Sequence, residues 1–159
     1  MWALGSVDSY PRGYRNPVIL RVSADLPAAG DWDPAPVESF STNAQSLTLS
    51  FTYTRGGAAG SFDWQLEVSP YAVIGNVPAG ASEWVTQSLY TAGAVAAGAD
   101  SQSLVQREYQ TYTATGAALE DFVFGPIELA GTIERIRVTA RESGNVGAPG
   151  LLQITGELR

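Results

Sequence analysis

Leu47-Thr48-Leu49-Ser50-Phe51-Thr52-Tyr53-Thr54 is followed by Arg55-Gly56-Gly57-Ala58-Ala59-Gly60 and then by Ser61-Phe62-Asp63-Trp64-Gln65-Leu66-Glu67-Val68-Ser69. Apolar and polar residues alternate on both sides of the glycine-rich break. Successive side chains of a strand point to opposite faces, so each run turns an aromatic-rich face inward and a polar face outward. The break is rich in glycine, which tolerates positive φ, and the spacing predicts a β-hairpin with a longer loop.

The same period recurs outward from this pair. Ile136, Val138 and Ala140 alternate with Arg135, Arg137, Thr139 and Arg141, and Leu152, Ile154 and Leu158 alternate with Gln153, Thr155 and Glu157. Between them, Ser143 to Pro149 reads as a turn. Phe122, Phe124, Ile127 and Leu129 predict a strand interrupted at Gly125-Pro126, because proline cannot donate to a ladder. Shorter strands are expected at Val18–Val22, Trp84–Tyr90 and Leu104–Thr113, and Ala92–Val105 offers at most a turn or two of helix. About eight short strands separated by Gly/Pro-rich turns predict an all-β antiparallel sandwich, jelly-roll-like.

Residues 1–44 fit that period least. Trp2, Tyr10, Pro11 and Tyr14 lie in an aperiodic stretch, and residues 25–44 hold Asp25, Asp31, Trp32, Asp33, Pro34 and Pro36. Large aromatic residues are rare in disordered chain, so these segments read as arms ordered by packing on this subunit or a neighbour. The organisation expected is an N-terminal arm and irregular segment over 1–44, with a short strand near 18–22, and a sandwich over 45–159.

Composition removes many functions. The chain of 159 residues has a net charge of −7, no Cys and no His, and all nine of its basic residues are Arg. It therefore has no disulfides, no thiolate nucleophile, no cysteine zinc site and no P-loop lysine. A Ser nucleophile would lack its usual His or Lys base. The acidic balance argues against nucleic acid as a partner. No apolar run reaches the roughly 20 residues that span a bilayer, and the N-terminus lacks the basic n-region of a signal peptide, so no membrane is expected as a partner.

What remains is recognition. Arg135, Arg137 and Arg141 share the outward face of one strand, either gripping an acidic partner or paired across the ladder with residues such as Glu157. Trp2, Tyr10, Tyr14 and Trp32 are candidates for anchors at a protein interface, where Trp and Tyr are enriched. Trp32 with its neighbouring aspartates equally suits a sugar ring, as in a carbohydrate-binding or adhesive module. Asp25, Asp31 and Asp33 as calcium ligands match no known loop spacing, and Asp with Pro34 and Pro36 reads as a turn. No metal and no cofactor is expected. Asp63, Glu67, Glu134 and Glu157 fall on polar sides of strands, as a solvated face requires, and not as the converging pair of a glycosidase.

The run Leu47–Gly57 with Phe62–Ser69, the downstream Trp84, and the closing strands Arg135–Arg141 and Leu151–Thr155 resemble small β-sandwich proteins of the structural modules of tailed bacteriophages. The resemblance covers residues 45–158 as a pattern. Residues 1–44 and the insert near 91–103 have no counterpart in it. It implies a non-enzymatic virion component made in the host cytoplasm, such as a decoration protein that cements the capsid lattice. The partners implied are the major capsid protein or another virion protein, and further copies of the chain, as a homotrimer.

Overall fold

The structure, a computed structural model, describes residues 17–27, 31–41, 43–57, 60–72, 74–92, 104–113, 118–143 and 148–159. In chain order the strands are β1 (Val18–Asp25), β2 (Glu38–Phe40), β3 (Ser46–Thr54), β4 (Ser61–Ser69), β5 (Val85–Thr86), β6 (Leu89–Ala92), β7 (Leu104–Arg107), β8 (Gln110–Thr113), β9 (Leu119–Glu128), β10 (Arg135–Glu142) and β11 (Leu151–Leu158). A 3-10 turn, Ile74–Asn76, interrupts the connection from β4 to β5.

Two antiparallel sheets form the body. One has the order β1-β11-β3-β9, the other β2-β10-β4 with β8 completing it. β8 pairs with Ser61–Trp64 of β4, and β5 takes up the same edge of β4 at Glu67 and Val68. The main strands alternate between the sheets along the chain, except that β4 is followed by β5 and β8 in the same sheet. This is the strand order of a jelly roll. Among the described residues β6 and β7 pair only with each other, inside the long β5–β8 connection.

The hairpin expected at residues 55–60 is not one. β3 pairs with β11 and β9, whereas β4 pairs with β10, β8 and β5, so the glycine-rich segment arches from one sheet to the other. The turn after β10 does the same. Alternation specifies which face of a strand is buried, and two strands facing each other across a core alternate just as two neighbours in one sheet do. The two arches stack: Ser61 Oγ and Ser143 Oγ lie 2.6 Å apart. A Cβ on Gly56 would run into the backbone carbonyls of Ala148 and Pro149, so glycine is what lets the arches close.

β1 and β2 lie within the stretch set apart as arm and irregular segment, yet each supplies a strand of the sandwich, one at the edge of each sheet. The core between the sheets is aromatic toward β9 and aliphatic toward β1. Phe51 stacks on Phe122 at 4.6 Å and Tyr112 on Phe122 at 4.0 Å, while Trp64 meets Phe124 edge-on at 5.0 Å. Leu20, Leu47, Leu49, Ile136, Leu152 and Ile154 are fully enclosed. Aromatic pairs of this kind contribute roughly 0.5–1.5 kcal/mol each beyond their area. β9 runs through the expected interruption, with a cis Gly125–Pro126 bond and Gly125 at φ 131°, where the register against β3 shifts between Leu47 and Leu49.

Candidate interaction surfaces

The outward residues of β10 and β4 meet in register on one face: Arg141 opposite Asp63, Thr139 opposite Gln65, Arg137 opposite Glu67 and Arg135 opposite Ser69. Arg141 Nε donates to Asp63 Oδ2 at 3.1 Å and Arg137 Nε to Glu67 Oε2 at 2.6 Å. Arg135 donates to Tyr71 O at 2.6 Å, Glu38 Oε2 at 2.8 Å and Glu83 Oε1 at 2.6 Å. The Glu83 hydrogen bond above all holds the Arg135 guanidinium even more firmly protonated than usual. Aromatic rings then cover the cations. Trp84 lies over Arg137 at 4.3 Å and Arg135 at 5.0 Å, and Trp32 over Arg141 at 4.2 Å, with Tyr109 at 5.3 Å from the same guanidinium.

The three arginines of the stripe share one surface, but the expected partner does not face them. Glu157 lies in the other sheet, beside Arg159 at 2.8 Å, and the carboxylates facing the arginines come from β4, β2 and the approach to β5. Nor is the stripe freely solvated. The Arg135, Arg137 and Arg141 side chains are only 5%, 22% and 20% exposed. Trp32, proposed as an anchor or sugar platform, has a ring face occupied by Arg141 and an edge contact with Tyr109 at 6.0 Å. Trp2, Tyr10 and Tyr14 lie outside the described residues.

Asp33 is spent on the fold. Arg21 Nε and Nη2 donate to its two carboxylate oxygens at 2.9 and 3.0 Å, and the Ala140 N–H donates to Oδ2 at 2.9 Å. Arg21 also donates to the carbonyls of Ala24, Asp25 and Leu152. The pair therefore ties edge strand β1 to β10 and covers the length of β10 that short β2 leaves open. A bidentate, largely buried pair with its remaining donors satisfied is the geometry in which such bonds are strong. Among the described residues no group of three or more acids converges as a metal site.

The arch end holds a buried polar cluster that sequence reasoning missed. Glu142 is 1% exposed; its Oε1 accepts the Gly150 N–H at 2.6 Å and its Oε2 has no partner. Burial pushes its carboxyl above the usual range, against the opposing pull of the Gly150 bond. Burial, then the nearby Glu142, raises Tyr53, whose hydroxyl also lacks a partner. Tyr112 donates to Glu120, and burial with that bond pushes its phenol up to about 12. The signal was present: Glu142 continues the inward phase of Ile136, Val138 and Ala140, and Glu120 that of Phe122 and Phe124.

The outer face of the β1-β11-β3-β9 sheet is of a different kind. Ile19, Thr155, Ser50 and Val123 form one cross-strand row, and Leu151, Thr54 and Leu119 another, with Gln153, Thr52 and Asp121 between. Ile19, Leu119, Val123 and Leu151 are exposed, Val123 most of all at 66%. The acids Asp121, Glu128 and Glu157 lie along it. Beside β9 runs a groove of about 830 Å³ lined by Gln87–Leu89 and Val123–Ala130.

Comparison with protein-family models, with curated proteins and with solved structures finds no match for this chain.

Proposed function

We propose that this chain is a non-enzymatic structural protein of a phage virion, a capsid decoration protein that forms a homotrimer and binds the capsid lattice. The observation that carries the reading is the contrast between the two outer faces of a jelly roll. One face satisfies its own charges, while the other presents mostly hydroxyls and isolated aliphatic side chains over four strands, with the acids Asp121, Glu128 and Glu157 among them. The cores of protein interfaces are depleted of charge, and small hydroxyls are far cheaper to desolvate than paired ions. Jelly rolls serve widely as capsid building blocks, though a fold alone fixes no function, and the phage-like pattern of strands over 45–158 supplies the direction. An overall acidic charge keeps free subunits off the genome before assembly. A sugar platform at Trp32 would have to displace Arg141 from the ring, which weighs against the adhesive reading.

The test is binding to emptied phage heads stripped of decoration, with light scattering of the free protein. A trimer in solution that saturates the heads is expected. A monomer that leaves the heads bare and is retained on polysaccharide would overturn the proposal in favour of the adhesive module.

A further inference from the structure

Two polar atoms are left over in the core near the arches. Tyr53 Oη and Glu142 Oε2 are both enclosed, and neither has a hydrogen-bond partner among the described residues. They come from opposite sheets, Tyr53 from β3 and Glu142 from β10, and they close on the same residue. Glu142 Oε1 accepts the Gly150 N–H at 2.6 Å, and a Cβ on Gly150 would run into the Tyr53 ring and hydroxyl. Phe62, opposite Glu142 in the pairing of β4 with β10, packs on the Tyr53 ring at 4.9 Å. The charge of Glu142 is felt at the hydroxyl, yet the two groups do not bond to each other.

A buried polar group without a partner forfeits its hydration for nothing, and the large majority in folded proteins bond to protein or to ordered water. Side chains cannot supply the bond here. A Cβ on Gly60 would stand 2.5 Å from Tyr53 Oη, so glycine backbone closes on the hydroxyl at Gly60 as it does at Gly150. Tyr112, edge-on to Tyr53, already donates to Glu120. Arg55 and Glu120, the other charges felt at the hydroxyl, are not free either. What fits is one heavy atom that both donates and accepts. Two hydrogen bonds of about 2.8 Å through such an atom bridge groups up to roughly 5.5 Å apart.

We propose that Tyr53 and Glu142 hold a single buried water molecule between the two sheets. Tyr53 Oη donates to the water, and the water donates to Glu142 Oε2. Two polar partners are the fewest that keep a buried water in place. A hard cation such as calcium would need about six oxygens and would sit close to the Arg55 charge. Water also turns to accept from Oε2 when Glu142 takes up a proton, so it serves both charge states. The bridge ties β3 to β10 within one copy and is independent of assembly.

The test is a crystal structure of the full chain at a resolution that shows ordered water, with a second crystal soaked in rubidium chloride. Denaturant unfolding of Tyr53→Phe accompanies it. We expect a density peak within hydrogen-bond distance of both atoms and no anomalous signal from rubidium there. Tyr53→Phe should shift the unfolding equilibrium on the order of fivefold toward the unfolded chain, the loss of one hydrogen bond. A rubidium signal at the peak overturns water in favour of a monovalent cation. An empty site, or a direct bond from Tyr53 to Glu142, overturns the proposal outright. So does a Tyr53→Phe chain as stable as the parent or more so, because its hydroxyl then had no bond to lose. Should that variant fail to fold, the density alone decides.

Discussion

The two outer faces of this sandwich start from the same alternating pattern and end as opposites. On β10 and β4 the outward positions are long and charged, and each guanidinium finds both a carboxylate and a ring. On β1, β11, β3 and β9 they are threonine, serine and lone aliphatics with few ions. The difference lies in what each would lose by being covered. Burying the first face means desolvating ion pairs that are already satisfied, at a cost their mutual attraction repays only in favourable geometry. Burying the second removes apolar surface from water at roughly 25 cal/mol per Å² and strands little. A charged face can thus be finished, and a bland one left open.

The seam joining the two sheets is where the comparison breaks most violently. Asp33→Ala leaves Arg21 as a buried cation and uncovers the Ala140 N–H, and should cost about 3–5 kcal/mol in chemical denaturation. A loss under about 1 kcal/mol, the size of a surface pair, would show the seam to be dispensable.

A smaller effect is expected at Glu142, which belongs to neither face. Its folded pKa lies above the unfolded value of 4.5, so the native state holds the proton more tightly. Stability from this group is fully present below pH 4.5 and is lost as pH rises through the folded pKa. Glu142→Gln should therefore flatten that decline, gaining on the parent as pH rises above 4.5 in melting experiments. Parallel pH profiles for the two proteins would refute the assignment.

The rings of the closed face come next. Trp32→Ala and Trp84→Ala should each cost about 0.5–2 kcal/mol, and a double-mutant cycle of Trp32 with Arg141 should show coupling, because the ring lies over that guanidinium. Purely additive effects would mean that Trp32 acts only by area. On the open face Val123→Lys, at a 66% exposed position, should change monomer stability by no more than about 0.5 kcal/mol.

Most of the fold was legible because period-two alternation is written wherever a strand has one buried face. It marked β3, β4, β9, β10 and β11 and placed Trp64 in the core. It could not say which strands are neighbours, since arches and hairpins leave the same trace, so the glycine-rich turn after β3 reads as staying within a sheet. β2 escaped because three residues, Glu38–Phe40, carry no period. The arginine stripe was visible, but its partners depend on tertiary pairing: Trp84, Glu83 and Trp32 arrive from connections that local pattern cannot place. Glu142 was passed over because a charged residue reads as polar even when its phase points inward.

The contrast between the faces is tested most directly by placing one lysine on each and measuring mass by light scattering across concentrations. Val123→Lys on the open sheet should reduce the proposed trimer to monomer, while Gln65→Lys, between the arginines of the closed sheet, should leave its mass unchanged. The reverse outcome, an intact assembly with Val123→Lys and dissociation with Gln65→Lys, would contradict the account.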